Sequence, residues 1–396
     1  MTRPLRIAHI SDTHLGYRAL PQQDPLTGRN QRSIDVERAF SSAIDDILRQ
    51  EVDLVIHGGD VFHQSRPNWH AVRHFVMEMR RIENAGIPAV VIAGNHDTPR
   101  YRAGGSVFSV LEVALPNIRI SAGYEEEEIV FEELGLRVQT VPHGALTNPD
   151  KPVPYAVPEF RNILVTHGMT AGILEPGRVT EAGEQELDNE LFEADFDYIA
   201  LGHYHISTQP FAGAWYSGST ERFGWGDYEA TPGYLIVEMG ANGSVASPEH
   251  RPVTARPMHL LKPVHGDTLS VEEMIGAINE QLDRLDDPAA LTRVQIRDAD
   301  RHAYRQLERQ VRREVGGKTF HLTVSRQAPA EAGISLEIDR DAALPDLKTL
   351  FAEFVASRKG EHYSPEFATR FLERGTQALD DAQRIVNESQ SEGGGA

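Results

Sequence analysis

Seven short apolar runs punctuate the first 240 residues, and five of them lead into side chains able to hold a metal ion. The runs are Leu5–Ile10, Val52–Ile56, Ala89–Ala93, Val138–Val141, Ile163–Val165, Tyr198–Leu201 and Tyr234–Val237. Short, rich in Val and Ile and bounded by polar turns, they predict buried strands. Between the first three, Val36, Phe40, Ala43, Ile44, Ile47 and Leu48 recur at helical spacing, as do Val72, Phe75, Val76, Met79 and Ile82. Strand, helix, strand, helix implies parallel βαβ units with functional loops at the carboxyl ends of the strands. The later strands come with fewer helices. The expected fold class is therefore α/β, a sandwich of two mixed sheets flanked by helices.

The texture changes after about residue 255. Candidate strands at Met258–Leu261, Leu291–Ile296 and His321–Val324 enclose helical stretches near 270–285 and 301–314, which reads as a small α+β domain. A linker is expected at 327–333. Beyond it, Leu347, Leu350, Phe351, Phe354 and Val355 form one amphipathic face, and Phe367, Phe371, Leu372, Leu379 and Val386 a second, behind a turn at Ser364-Pro365. The expected divisions are 1–255, 256–328 and a helical region at 340–390, with a frayed tail at 391–396. No run approaches a spanning helix, and Leu5–Ile10 is far too short for a signal segment, so the expectation is a cytoplasmic chain without a membrane.

The strand ends carry the chemistry. Asp12 and His14 follow the first run, Asp60 the second, and Asn95, His96 and Asp97 the third. His167 follows Ile163–Val165, and His203 and His205 follow Tyr198–Leu201. Alternate spacing, as in Asp12-x-His14 and His203-x-His205, places two side chains on one side of extended backbone. Any one of these histidines alone reads as structural; five such signals in order do not. Mixed imidazole, carboxylate and amide donors suit manganese, iron or zinc better than magnesium or calcium. Two such ions about 3.5–4 Å apart can clamp a phosphate for in-line displacement. Protonated His96 could stabilise the transition state or protonate the leaving oxygen, with Asp97 orienting its ring. His9 and His57 lie inside strands and read as core groups. With no cysteine, thiolate zinc sites, iron–sulfur clusters and disulfides are excluded.

The ordered set resembles the calcineurin-like metallophosphoesterase superfamily over about residues 5–240. Asp12-Thr-His-Leu-Gly-Tyr, Gly59-Asp-Val-Phe-His and Tyr216-Ser-Gly-Ser-Thr-Glu-Arg-Phe-Gly-Trp-Gly-Asp-Tyr narrow the likeness to the SbcD family of double-strand-break repair nucleases. The resemblance implies one ion on Asp12, His14, Asp60 and His205 and a second on Asp60, Asn95, His167 and His203. It casts His96 as the transition-state histidine and His63 as a second active-site histidine. It further implies two manganese ions, a homodimer and an SbcC-type coiled-coil ATPase partner. The implied activities are 3′ to 5′ degradation of duplex DNA ends and nicking of single-stranded DNA. The α+β domain falls where that family carries its cap, and the terminal helices where it binds its ATPase.

Acidic residues exceed basic ones by 20, which argues against a chain that coats nucleic acid through its overall field. Residues 251–326 differ, with 13 basic and 11 acidic side chains. There Arg301, Arg305, Arg309 and Arg312 form one helical stripe suited to phosphate-backbone contact, the competing reading being a solvated helix with internal ion pairs. The competing functions are a two-metal phosphomonoesterase or cyclic-nucleotide phosphodiesterase, and a DNA-end tethering scaffold. The polar loop Pro21–Arg32 and the acidic run Glu125–Glu128 receive no role; the latter reads as a solvated hairpin or loop.

Overall fold

The computed structural model describes residues 3–150, 152–170, 183–192, 194–327, 347–358, 365, 367–377 and 379. Most of the linker expected at 327–333, together with Ser364, Val386 and the tail 391–396, lies outside these residues, as do the side chains of Leu347 and Leu350. Strand and helix first alternate: β1 (Leu5–Ile10), α1 (Gln31–Arg49), β2 (Leu54–His57), α2 (Trp69–Asn84), β3 (Ala89–Ile92), α3 (Phe108–Ala114) and β4 (Ile118–Ser121). Strands then dominate. They are β5 (Glu127–Phe131), β6 (Leu136–Val141), β7 (Arg161–His167), β8 (Met169–Thr170), β9 (Glu186–Leu187) and β10 (Tyr198–Gly202), with the four-residue α4 (His143–Leu146) after β6. β11 (Thr208–Phe211), β12 (Ala214–Tyr216), β13 (Gly233–Met239) and β14 (Glu249–Pro252) complete this part.

Two six-stranded sheets result, in the orders β14-β13-β1-β2-β3-β4 and β11-β12-β10-β7-β6-β5. Both are mixed: β1 to β4 run parallel, β13 runs against them and β14, antiparallel to β13, returns to their direction, while β5 and β11 are antiparallel edges on a parallel core. Ile7, Leu54, Ile56, Val90 and Ile92 interlock between the sheets with Val138, Ile163, Val165 and Tyr198. The opposite face of the first sheet packs Ala8, Ile10, Val55 and Val91 against Val36, Phe40, Phe75 and Met79 of α1 and α2. Burial on both faces explains why these strands read as continuous apolar runs rather than alternating ones. Each large side chain so buried contributes about 1.5–3 kcal/mol. Asn30 and Asn68 start the two helices by accepting from the N–H groups of Ser33 and Ala71.

Residues 258–327 build a third sheet around β17 (Leu291–Arg297). β15 (Met258–Leu260), β16 (Val264–His265) and β18 (His321–Gln327) all pair parallel to it. Val294, Ile296, Leu322 and Val324 bury one face under α5 (Val271–Leu285) and α6 (Arg301–Glu314). By strand alternation Arg293, Gln295, Thr323 and Ser325 lie on the other face. That face meets the sandwich: Arg293 stands 5.8 Å over the Trp225 ring, and Gln22 donates to the Phe320 carbonyl at 3.1 Å. The loop that the sequence left without a role thus ties the two parts together. Arg256 fixes the joint. Its guanidinium bonds Asp35 at 2.7 Å and the Ala289 carbonyl at 2.6 Å while lying 3.9 Å over the Phe320 ring.

The acidic run is exposed and enters the β5–β6 hairpin, as expected. Glu127 and Glu128 belong to β5, and Glu128 bonds Arg137 at 2.7 Å, a residue 1 % exposed. The pairing with Arg137 was not legible because the partner guanidinium comes from the neighbouring strand. Residues 330–396 are a separate unit, in which α7 (Leu347–Arg358) packs Phe351 against Phe371 of the helix at 367–377. A side chain at Gly375 would collide with the Phe351 ring.

His9 lies in the sandwich, its Nδ1 2.9 Å from the Tyr198 hydroxyl. Burial holds its imidazole at about 3, well below the ordinary 6.5. A depressed value means the unfolded chain takes up the proton first, so stability is intact above pH 6.5 and falls as pH drops toward 3. Chemical denaturation between pH 7 and 4 should therefore show a shallower loss for His9→Gln than for the unaltered chain. The difference should approach about 1.4 kcal/mol per pH unit.

Candidate metal centre

The predicted donors converge at the carboxyl ends of β1, β2, β3, β7 and β10. The loops after β1 and β2 are zipped together by Asp12 N–H to the Gly59 carbonyl and His14 N–H to the Asp60 carbonyl, both 3.0 Å. Asp12, His14, Asp60 and His203 all adopt positive φ, between 42° and 114°. Side chains rarely accept that conformation, so the packed sheet ends hold these donors against a local backbone cost. Gly94 must be glycine, because a Cβ there would run into the Asp60 carboxylate.

Two groups of donor atoms form: Asp12, His14 and His205, and Asp60, His167 and His203. Asp60 Oδ2 joins them, lying 3.4 Å from His167 Nε2 and 3.6 Å from His14 Nε2. Asn95 Oδ1 completes the second group, 2.9 Å from His167 Nε2 and 3.1 Å from His203 Nδ1. The hydrogen bonds behind the rings show what the facing atoms are. His167 Nδ1 meets the Gly58 carbonyl at 2.9 Å, and His205 Nδ1 meets the Asp227 carboxylate at 3.1 Å. Carbonyl and carboxylate oxygens only accept, so those nitrogens carry protons, and each Nε2 faces the site, with a lone pair to give whenever its ring is neutral. Ligand atoms of imidazoles, an amide and carboxylates thus face one another at contact distance. A divalent cation fits such a donor set, and the nitrogen content favours a transition metal over calcium.

The charges respond to this crowding. Burial opposes ionisation of Asp60, but His167, His14 and His96 outweigh it and hold the carboxyl well below its usual range. Burial likewise disfavours a charge on His167, yet Asp60 and Asp12 push that ring up to about 9.

His96 and His63 line the same cavity of about 400 Å³, with His14, Asp60, His203 and His205. Their rings stack with centroids 5.3 Å apart. The His96 ring is oriented by the His63 carbonyl, 3.0 Å from Nδ1. Asp97 is placed differently from the expectation. Its carboxylate accepts from the backbone N–H groups of Val61, Phe62 and Gly94 at 2.8–3.0 Å, so it clamps the β2 and β3 loops together. Burial and the neighbouring Asp60 push it up to about 7. A second cavity of about 700 Å³ continues past His63 and His96 to Arg100, Arg102 and Tyr124.

Some participants were not visible as such in the sequence. Phe223 packs edge-on against His14 and His205, with centroids 4.7 and 5.0 Å away, and its carbonyl accepts from Tyr17. Asp227 stood in a quoted motif without a role. Glu184, its side chain 2 % exposed and 3.2 Å from His203 Nε2, carried no signal at all. The stripe Arg301, Arg305, Arg309 and Arg312 is exposed and makes no ion pair among the described residues. Leu307 and Val311 turn α6 toward the cap sheet, which leaves the stripe on the side away from Trp225. Arg32, by contrast, is buried on Asp35 and the Arg222 carbonyl.

Residues 5–207 match the model of the calcineurin-like phosphoesterase family, and the chain belongs to that family. Among the curated proteins similar to the chain are DNA double-strand break repair proteins Mre11. That of Haloferax volcanii is 31 % identical over 237 residues, covering 59 % of this chain and 49 % of the relative. That of Methanosarcina mazei is 28 % identical over 293 residues, covering 72 % and 44 %, and that of Saccharolobus solfataricus 30 % over 210, covering 51 % and 49 %. The chain thus spans about half the length of these relatives.

Asp97 and His96 separate by experiment. Asp97→Ala strands three buried N–H donors and should lower stability by at least about 2 kcal/mol in urea unfolding, whereas His96→Ala should leave the midpoint nearly unchanged.

Proposed function

We propose that the protein is a manganese-dependent DNA nuclease that processes double-strand ends in break repair. The observation that carries this reading is the convergence of two groups of possible ligands, Asp12/His14/His205 and Asp60/His167/His203, at a cavity with His96 and His63 on its wall. The kinship with break-repair proteins supports DNA as the substrate rather than a small ester. Bound divalent ions would supply an activated water at neutral pH and neutralise charge on the phosphate. Asp12, His14, Asp60 and His205 would hold one, and Asp60, Asn95, His167 and His203 the other. His96, its Nδ1–H anchored on the His63 carbonyl, would offer Nε2–H to the leaving or non-bridging oxygen when the ring is protonated, and proton donation there is worth about 10²–10⁴-fold in rate. Phe223 and Tyr17 wall the cavity and limit water at the reacting phosphate.

In this proposal residues 1–255 carry out 3′ to 5′ exonucleolytic and single-strand endonucleolytic cleavage. Residues 256–328 act as a cap that contacts DNA, and 340–390 bind an SbcC-type ATPase. The active form is a cytoplasmic homodimer. No helix among the described residues is long and apolar enough to cross a membrane.

A blunt labelled duplex and a small phosphodiester, each with manganese and with chelator, test the reading. Cleavage of the ester but never the duplex, even with an ATPase partner supplied, would replace it with a small-substrate esterase. Asp60→Ala should abolish both cleavage and metal binding; His96→Ala should abolish cleavage while metal content stays at the unaltered level. Arg305→Glu with Arg309→Glu should weaken DNA binding and lower its log–log salt slope by about 2. Unchanged binding would remove the stripe from the interface.

A further inference from the structure

His203 and His205 stand two residues apart, yet they face the site through different nitrogens. His205 turns Nε2 inward, 3.2 Å from His14 Nε2, with Nδ1 on Asp227. His203 turns Nδ1 inward, 3.1 Å from Asn95 Oδ1, with Nε2 on Glu184 at 3.2 Å. We propose that Glu184, a residue outside the donor set, is a positioning residue that fixes His203 in the Nε2–H tautomer, opposite to the one Asp227 fixes in His205.

The argument is one of available protons. A carboxylate has lone pairs and no hydrogen, so the nitrogen beside Glu184 is the one that carries N–H. A neutral imidazole has one N–H, which leaves Nδ1 with its lone pair toward Asn95 Oδ1 and His167 Nε2. Without Glu184 the opposite tautomer gains a partner, because Asn95 Oδ1 is itself an acceptor within reach of Nδ1–H. That form has no lone pair to give on the side of the site. The choice of nitrogen also sets reach: Nδ1 is nearer the backbone than Nε2. One short segment can therefore serve the Asn95 group through its near nitrogen and the His14 group through its far one.

Glu184 is delivered by tertiary contacts rather than by its own strand. β9 pairs with β8, which leaves β7 immediately after His167, and Met169 N–H donates to the Gln185 carbonyl at 2.9 Å. Gly168 is needed for this approach, since a Cβ there would stand 2.8 Å from the Gln185 carbonyl oxygen. The buried carboxylate is thus tied to the same strand exit that carries His167, and both support the same group of donors.

The inference rests on the metal-dependent reading above, and the two fail separately. The test uses the full chain with ¹⁵N-labelled histidine, metal-free at pH 8, and the His203 signals assigned by comparison with His203→Gln. Long-range ¹H–¹⁵N correlation should show Nε2 protonated and Nδ1 bare. Glu184→Met removes the acceptor at similar size, and should shift His203 toward the Nδ1–H form while His205 is unmoved. Glu184→Gln retains an acceptor oxygen and should restore the original pattern. In a manganese titration, Glu184→Met should weaken one ion by about 10–100-fold and leave the other unchanged. Unaltered His203 shifts in Glu184→Met, equal weakening of both ions, or a Glu184→Gln variant no better than Glu184→Met would each overturn the proposal. Absence of manganese binding by the unaltered chain would instead overturn the metal-dependent reading, with the tautomer still decided by the metal-free spectra.

Discussion

The molecule is arranged around metal-ligand side chains brought to contact distance of one another at the strand ends. His167 Nε2, His203 Nδ1 and Asn95 Oδ1 crowd together at 2.9–3.1 Å, and His14 and His205 face each other at 3.2 Å. The cluster persists because the strands behind it are buried on both faces and cannot yield, and because the rings of His167, His203 and His205 are pinned from behind by a carbonyl or a carboxylate. The positive φ values at Asp12, His14, Asp60 and His203 show the same bargain in the backbone. A cation relieves all of it at once, which is why this geometry speaks for metal chemistry more strongly than the residue types alone.

The small α+β part shares that rigidity through its contacts with the sandwich, foremost those of Arg256. Arg256 brings together Asp35 of α1, the cap carbonyl of Ala289 and the Phe320 ring. Asp35 also binds Arg32, which reaches the Arg222 carbonyl beside Phe223. Phe223 in turn packs on His14 and His205. A chain of packed and charged groups therefore runs from the cap to the wall of the site. The open face of the cap sheet, with Arg293 over Trp225, looks toward that wall, and α6 looks away from it.

Much of this was legible beforehand, for identifiable reasons. Each of the seven apolar runs overlaps a strand, Val52–Ile56 beginning two residues before β2 and Ala89–Ala93 ending one after β3, because double-sided burial leaves an unmistakable apolar signature. The edge strands β5, β11 and β14 escaped notice because one exposed face and few residues erase that signature. The donors were legible because the backbone brings each to a strand end, and strand ends in parallel sheets share one side of the molecule. Asp97 was assigned to the His96 ring since it is adjacent in sequence, yet successive side chains point apart, and its oxygens close on backbone from another loop. Adjacency was the wrong guide there.

The amino-acid sequence by itself determined the strand order of the donors, the absence of thiolate chemistry and the kinship that a set of local motifs can carry. These are properties of short segments, fixed by residue type and spacing. Which nitrogen of each histidine faces the site, and that Glu184 and Asp227 stand behind two of them, was decided only by the tertiary structure. The reason is physical: a tautomer is chosen by the acceptor on the far side of the ring, and that acceptor arrives from a strand pair or a loop whose position depends on the packing of the whole sandwich.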